Sequence, residues 1–75
     1  MIAVNAQIAT AVRYGNVIYE RLSTNTDRDK FAALWLRLER EVTTAETLGD
    51  INRIEAAITE WRRKVATEFR EATRG

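Results

Sequence analysis

Apolar side chains recur along this chain at alternating three- and four-residue spacing, the period of an amphipathic helix, and no stretch holds the period of two that marks a strand. Val4, Ile8, Ala11, Gly15, Ile18 and Leu22 form the first such seam and predict a helix over about 3–22. Phe31, Leu34, Trp35, Leu38, Val42 and Ala45 form the second, over about 27–47. The third is the most continuous: Ile51, Ile54, Ile58, Trp61, Val65, Phe69 and Ala72 predict one helix over about 51–73.

Two polar breaks separate these periods. Between Leu22 and Phe31 lies Ser23-Thr24-Asn25-Thr26-Asp27-Arg28-Asp29-Lys30, the one polar run long enough to be a loop. Within it Thr26 is the expected N-cap: Asp29 stands three residues later in capping-box position, and Asp27 adds negative charge to the first turn. The second break is Leu48-Gly49-Asp50, where Asp50 is the expected N-cap of the third helix. With no Pro to force a further break, the predicted fold is all-α. It is a three-helix bundle made of a long C-terminal helical hairpin and an N-terminal helix, in a single domain over 1–75. Trp35 and Trp61 both sit on seams and are expected to pack on each other in its core.

Size and composition narrow what such a bundle can do. A chain of 75 residues buries roughly 60% of its unfolded surface, a thin margin for stability. It has no Cys for a disulfide and no His, so carboxylates are the remaining metal ligands. The commonest general base and the most nucleophilic side chain are both missing. Glu39 and Glu41 point about 200° apart on a helix and cannot work as a pair. Glu68 and Glu71 share a face, but paired helical carboxylates are more often surface charge, as in the expected i,i+4 pairing of Glu60 with Lys64. No catalytic residue, metal site or cofactor is expected, and the chain reads as a non-enzyme.

Twelve Lys and Arg against eleven Asp and Glu leave a formal net charge of +1, far from the basic signature of a dedicated nucleic-acid binder. The nearest candidate surface is on the third helix, where Arg62, Arg63, Arg70 and Arg74 cluster and would carry the alternative reading of a DNA-binding regulator. Glu60, Glu68 and Glu71 interleave with them and are expected to take up much of that charge in ion pairs. Met1-Ile2-Ala3-Val4 is apolar, yet no basic segment precedes it and Asn5 and Gln7 interrupt it, so neither a signal peptide nor a membrane span is expected. Cytoplasmic is the default location.

Protein partners are better supported. From Met1 to Val12 the first helix carries no charged side chain, and Ala3, Ala6, Ala9 and Ala11 keep it smooth on several sides. Tyr14 and Val17 fall on a face with Ala3 and Thr10, away from the Ala11 and Gly15 seam. These two are candidates for an exposed apolar patch, and with Tyr19 and the off-seam Leu36 they are the candidate partner-binding residues. The expected function is therefore that of a non-catalytic interaction module, with pairing of the first helix into a homo-oligomer as a structural alternative.

The run Phe31-x-x-x-Trp35-x-x-Leu38, followed by Glu41, Ala45, Leu48-Gly49-Asp50-Ile51, Ile54, Ile58 and Trp61-Arg62, resembles a family of small uncharacterised actinobacterial proteins. These share an aromatic-led helix, a short Asp-Leu turn and a helix ending in Trp-Arg or Trp-Trp. Members are often encoded beside RelE/ParE-like toxins, which implies an antitoxin-like or inhibitory regulator that binds and blocks a toxin or enzyme. The likeness covers about half the chain. It does not extend to Met1–Leu22, and Ile51-Asn52 stands where relatives commonly carry a Pro near the turn.

Overall fold

The computed structural model describes the backbone of residues 2–74 and the side chains of residues 6–74. The fold is all-α. Helix α1 spans Ile2–Arg21, α2 Asn25–Leu48, α3 Ile51–Glu68, and a short α4 covers Arg70–Thr73. Helices α2 and α3 form an antiparallel hairpin, and α1 packs across it to give a three-helix bundle. Ala3 and Val4, assigned above to faces of the first helix, have side chains outside the described residues, as does Met1.

The turn between α2 and α3 is short because two residues serve both helices. Gly49 has φ +69°, the left-handed conformation that costs a residue with a Cβ about 1 kcal/mol. Its N–H donates to the Glu46 carbonyl at 3.0 Å, and the N–H of Asp50 donates to the Ala45 carbonyl at 2.9 Å, which together end α2 in a Schellman motif. The Asp50 carboxylate then accepts from the N–H of Arg53 at 3.0 Å and caps α3.

At the other end of α2 the structure departs from the expected cap. Thr24, not Thr26, is the N-cap, and its hydroxyl accepts from the N–H of Asp27 at 3.1 Å. Thr24-x-x-Asp27 and Thr26-x-x-Asp29 satisfy the same capping pattern. The earlier start leaves the seam register unchanged and adds helical bonds, among them Arg28 N–H to the Thr24 carbonyl at 3.1 Å. The connection, expected over 23–26, is reduced to the residues between Arg21 and Asn25. The third helix also differs, since it is broken at Phe69 (φ −119°, ψ 53°) instead of running on to 73. With the chain turned there, the Phe69 ring lies 5.9 Å from that of Phe31 and Ala72 is buried. The Arg21 guanidinium reaches from α1 to the carbonyls of Ala72 and Arg74, at 2.9 and 3.2 Å. This break answers to tertiary contacts, and no Gly or Pro marks it in the sequence.

The seams meet in one core. Ala11 and Ile18 of α1, with Leu22 just past its end, face Phe31, Leu38 and Ala45 of α2 and Ile54, Ile58, Trp61 and Val65 of α3, all buried. Trp35 and Trp61 do pack together, edge to face, with centroids 5.4 Å apart, and Phe31 stands edge-on to Trp61 at 6.1 Å. The half-buried Trp35 directs its indole N–H to the Glu39 carboxylate. That of Trp61 is buried without an acceptor among the described residues, a desolvation cost of about 1–3 kcal/mol that its apolar burial must offset. Gly15 makes this packing possible. A Cβ there would stand 3.3 Å from both the Phe31 and the Trp61 ring atoms, so the α1 backbone lies directly on the two rings.

Gly15→Ala is therefore expected to lower stability by about 1 kcal/mol, although Ala is the better helix former. In chemical denaturation the loss should shrink in a Phe31→Leu background, where one of the two crowding rings is gone. An equal loss in both backgrounds would show that the Phe31 ring is not its source.

Candidate functional site

Of the four candidate partner-binding residues, Tyr14 and Val17 share a side of α1 as i,i+3 neighbours, and Tyr19 and Leu36 lie elsewhere. Tyr14 and Tyr19 flank the buried α1 seam on opposite sides. Tyr14 is half-buried, its ring edge-on to Trp61 at 5.9 Å and its face covered by the Arg62 guanidinium at 4.8 Å. The expectation of an exposed Tyr14 fails because it lies on the side of α1 that leans on α3. Tyr19 leans toward α2, 5.9 Å from the Phe31 ring and 5.8 Å from the Arg28 guanidinium, with 43% of its surface still exposed. It borders a small crevice of about 200 Å³ between α1 and α2. Val17 is exposed, but two residues from Tyr19 it points about 200° away. Leu36, 57% exposed, belongs to a different surface altogether.

The basic residues of the third period are likewise divided. Arg62 is drawn to Tyr14. Arg70 and Arg74 lie past the break at Phe69, and Arg74 stands 3.8 Å from Glu71. The same break ends the continuous face proposed for Glu68 and Glu71, and among the described residues no three carboxylates gather into a possible metal site. Glu60 pairs with Arg63 at 2.6 Å, not with Lys64 as the i,i+4 spacing suggested.

Arg63 leads to an open groove of about 910 Å³ between α2 and α3. Among the described residues none of α1 lines it. Its apolar part is Ala33, Leu34 and Leu36 of α2. Lys30, Arg37 and Arg40 stand along α2, and Arg63 and Lys64 face them from α3, with Glu60 and Glu68 as the carboxylates. Through Arg40 and Glu60 the groove continues toward the α2–α3 turn as a second hollow of about 470 Å³, which adds Arg53 and Glu41 with Thr44, Ala56 and Ala57. Along this face six cations meet three carboxylates. The remaining sequence holds six cations against eight carboxylates, so a nearly neutral chain is electrically lopsided.

Most of that charge is uncompensated. Among the described residues the only ion pairs are those of Arg63 with Glu60 and Arg74 with Glu71, leaving Lys30, Arg37, Arg40, Arg53 and Lys64 without a carboxylate at bonding distance. The signal was present in the sequence as Lys30, Ala33, Arg37, Arg40 and Thr44, one stripe at helical spacing on the side of α2 away from its aromatic seam. It became a site only when the hairpin set α3's Arg63 and Lys64 opposite it. Compared with protein-family models, curated proteins and solved structures, the chain matches none.

Cations held for stability would be paired, so these are expected to be dispensable to folding. Arg37→Gln with Arg40→Gln should change the unfolding free energy by no more than about 0.5 kcal/mol. Arg62→Ala, which uncovers Tyr14, should cost about 0.5–1 kcal/mol. Urea titrations followed by circular dichroism compare the two directly. A larger loss from the groove pair would make its charges structural.

Proposed function

We propose that this chain is a non-catalytic helical interaction module that binds another protein along its α2–α3 face. The observation that carries the reading is the open groove in which Lys30, Arg37, Arg40 and Lys64 stand among Ala33, Leu34 and Leu36 without a carboxylate at bonding distance among the described residues. Unpaired cations beside exposed Leu36 gain little in the isolated molecule, whereas a partner of opposite charge would use both. The partner surface thus differs from the α1 patch expected from the sequence, because two of that patch's tyrosines are engaged with the core rings.

An inhibitory regulator that blocks a toxin or enzyme, the role implied by the resemblance of residues 31–66, is the narrower form of this proposal. It would act by covering the partner's surface, with no chemistry of its own. A cytoplasmic setting belongs to the same proposal. No helix in the described residues is long and apolar enough to cross a membrane.

A photo-crosslinking amino acid in place of the exposed Ala33, expressed in the cells that carry the gene, tests the reading. Irradiation is expected to give an adduct with one distinct protein, and the same substitution at the exposed Ala9 of α1 should not. Adducts only with a second copy would favour a homo-oligomer, and nuclease-sensitive adducts a DNA-binding regulator. Either result, or no adduct, would contradict the proposal.

A further inference from the structure

We infer that the occupant of the α2–α3 groove is an amphipathic helix with a carboxylate-bearing flank, contributed by the partner protein and lying along the hairpin as a fourth helix. This rests on the interaction-module reading and adds the chemistry and shape of what is bound.

Shape comes first. The hairpin has two broad sides, and α1 closes one of them, with Gly15 against the Phe31 and Trp61 rings and Ala11 buried in the same core. The other side offers a second inter-helical groove, with the small residue Ala33 of α2 in its first hollow and Ala56 and Ala57 of α3 in its second. Small residues between two helices admit a third at close distance. From Lys30 to Thr44 the groove runs about 21 Å along α2, the length of about 14 helical residues.

Charge then selects among occupants. Arg37 and Arg40 on α2, interleaved with Ala33, Leu34 and Leu36, face Arg63 and Lys64 of α3. A helix face that carries apolar side chains together with Glu or Asp is the complementary pattern. A second copy of this chain, paired isologously through this face, would set the cations of one molecule against those of the other. Nucleic acid fits less well, because Glu41, Glu60 and Glu68 interrupt the cations. No aromatic side chain lines either hollow to stack a base, all six being placed elsewhere.

The test is a titration of the intact, isotopically labelled chain with helical peptides of about 15 residues, followed by amide chemical shifts. One peptide carries a Leu and Ala stripe flanked by Glu. A second replaces each Glu by Gln, and a third keeps Glu but replaces the stripe by Ser. A short DNA duplex and anionic phosphatidylglycerol vesicles complete the set. The first peptide is expected to give saturable shifts confined to residues 30–44 and 53–68. Its affinity should fall at least about tenfold for the Gln peptide, and likewise for the Arg37→Gln, Arg40→Gln protein. It should also weaken as salt rises.

Equal binding of the first two peptides, shifts centred on α1, or duplex or vesicles shifting the groove amides where the peptide does not would each overturn the inference. A distinct protein captured from Ala33 with no response to the acidic peptide would leave the interaction reading standing and remove the acidic helix. Loss of the Ala33 adduct would remove the reading beneath both.

Discussion

The approach of α1 to the rings of Phe31 and Trp61 at Gly15 is the contact on which the rest of the molecule depends. A helix backbone can lie on two aromatic rings only where no Cβ intervenes, and here the missing Cβ would sit 3.3 Å from both. That approach buries Trp61 to 4% exposure and sets Tyr14 and Tyr19 on either side of the seam as flanking covers. It also carries Arg21 to the carbonyls of the last turn. Without disulfide or metal, a bundle of this size relies on a few large side chains, and the aromatic pairs add about 0.5–1.5 kcal/mol each beyond the area they bury.

The same contact decides which side of the hairpin stays open. Once α1 has taken the aromatic side, Tyr14 is half-buried against Trp61, and the α2–α3 groove keeps Ala33, Leu36 and its cations exposed. Exposed ion pairs contribute little to folding, so a set of cations with few such pairs is not explained by stability. In the proposed function, the binding face follows from this choice of side, made by where the glycine and the rings fall in the sequence.

Much of the fold could be read from residue spacing, because each seam has helical period and both turns carry cap chemistry. Asp50 was legible from its place after Leu48-Gly49, whereas Thr24 was not, since two overlapping Thr-x-x-Asp patterns compete and only the number of helical bonds formed separates them. The break at Phe69 was invisible because it answers to contacts with Phe31 and α1. The site was harder still. Its stripe of Lys30, Arg37 and Arg40 looks like any solvated helix face until the hairpin brings Arg63 and Lys64 opposite it. Tyr14 misled for the converse reason: it lies off the seam by spacing, yet sits on the flank that leans against α3.

Nuclear Overhauser contacts in the free protein address directly which side α1 closes. The account predicts contacts from the Gly15 α-protons to the Trp61 and Phe31 ring protons, and none from α1 to Ala33 or Leu36. Contacts between α1 and Ala33 or Leu36, with none at Gly15, would place the first helix in the groove and contradict it.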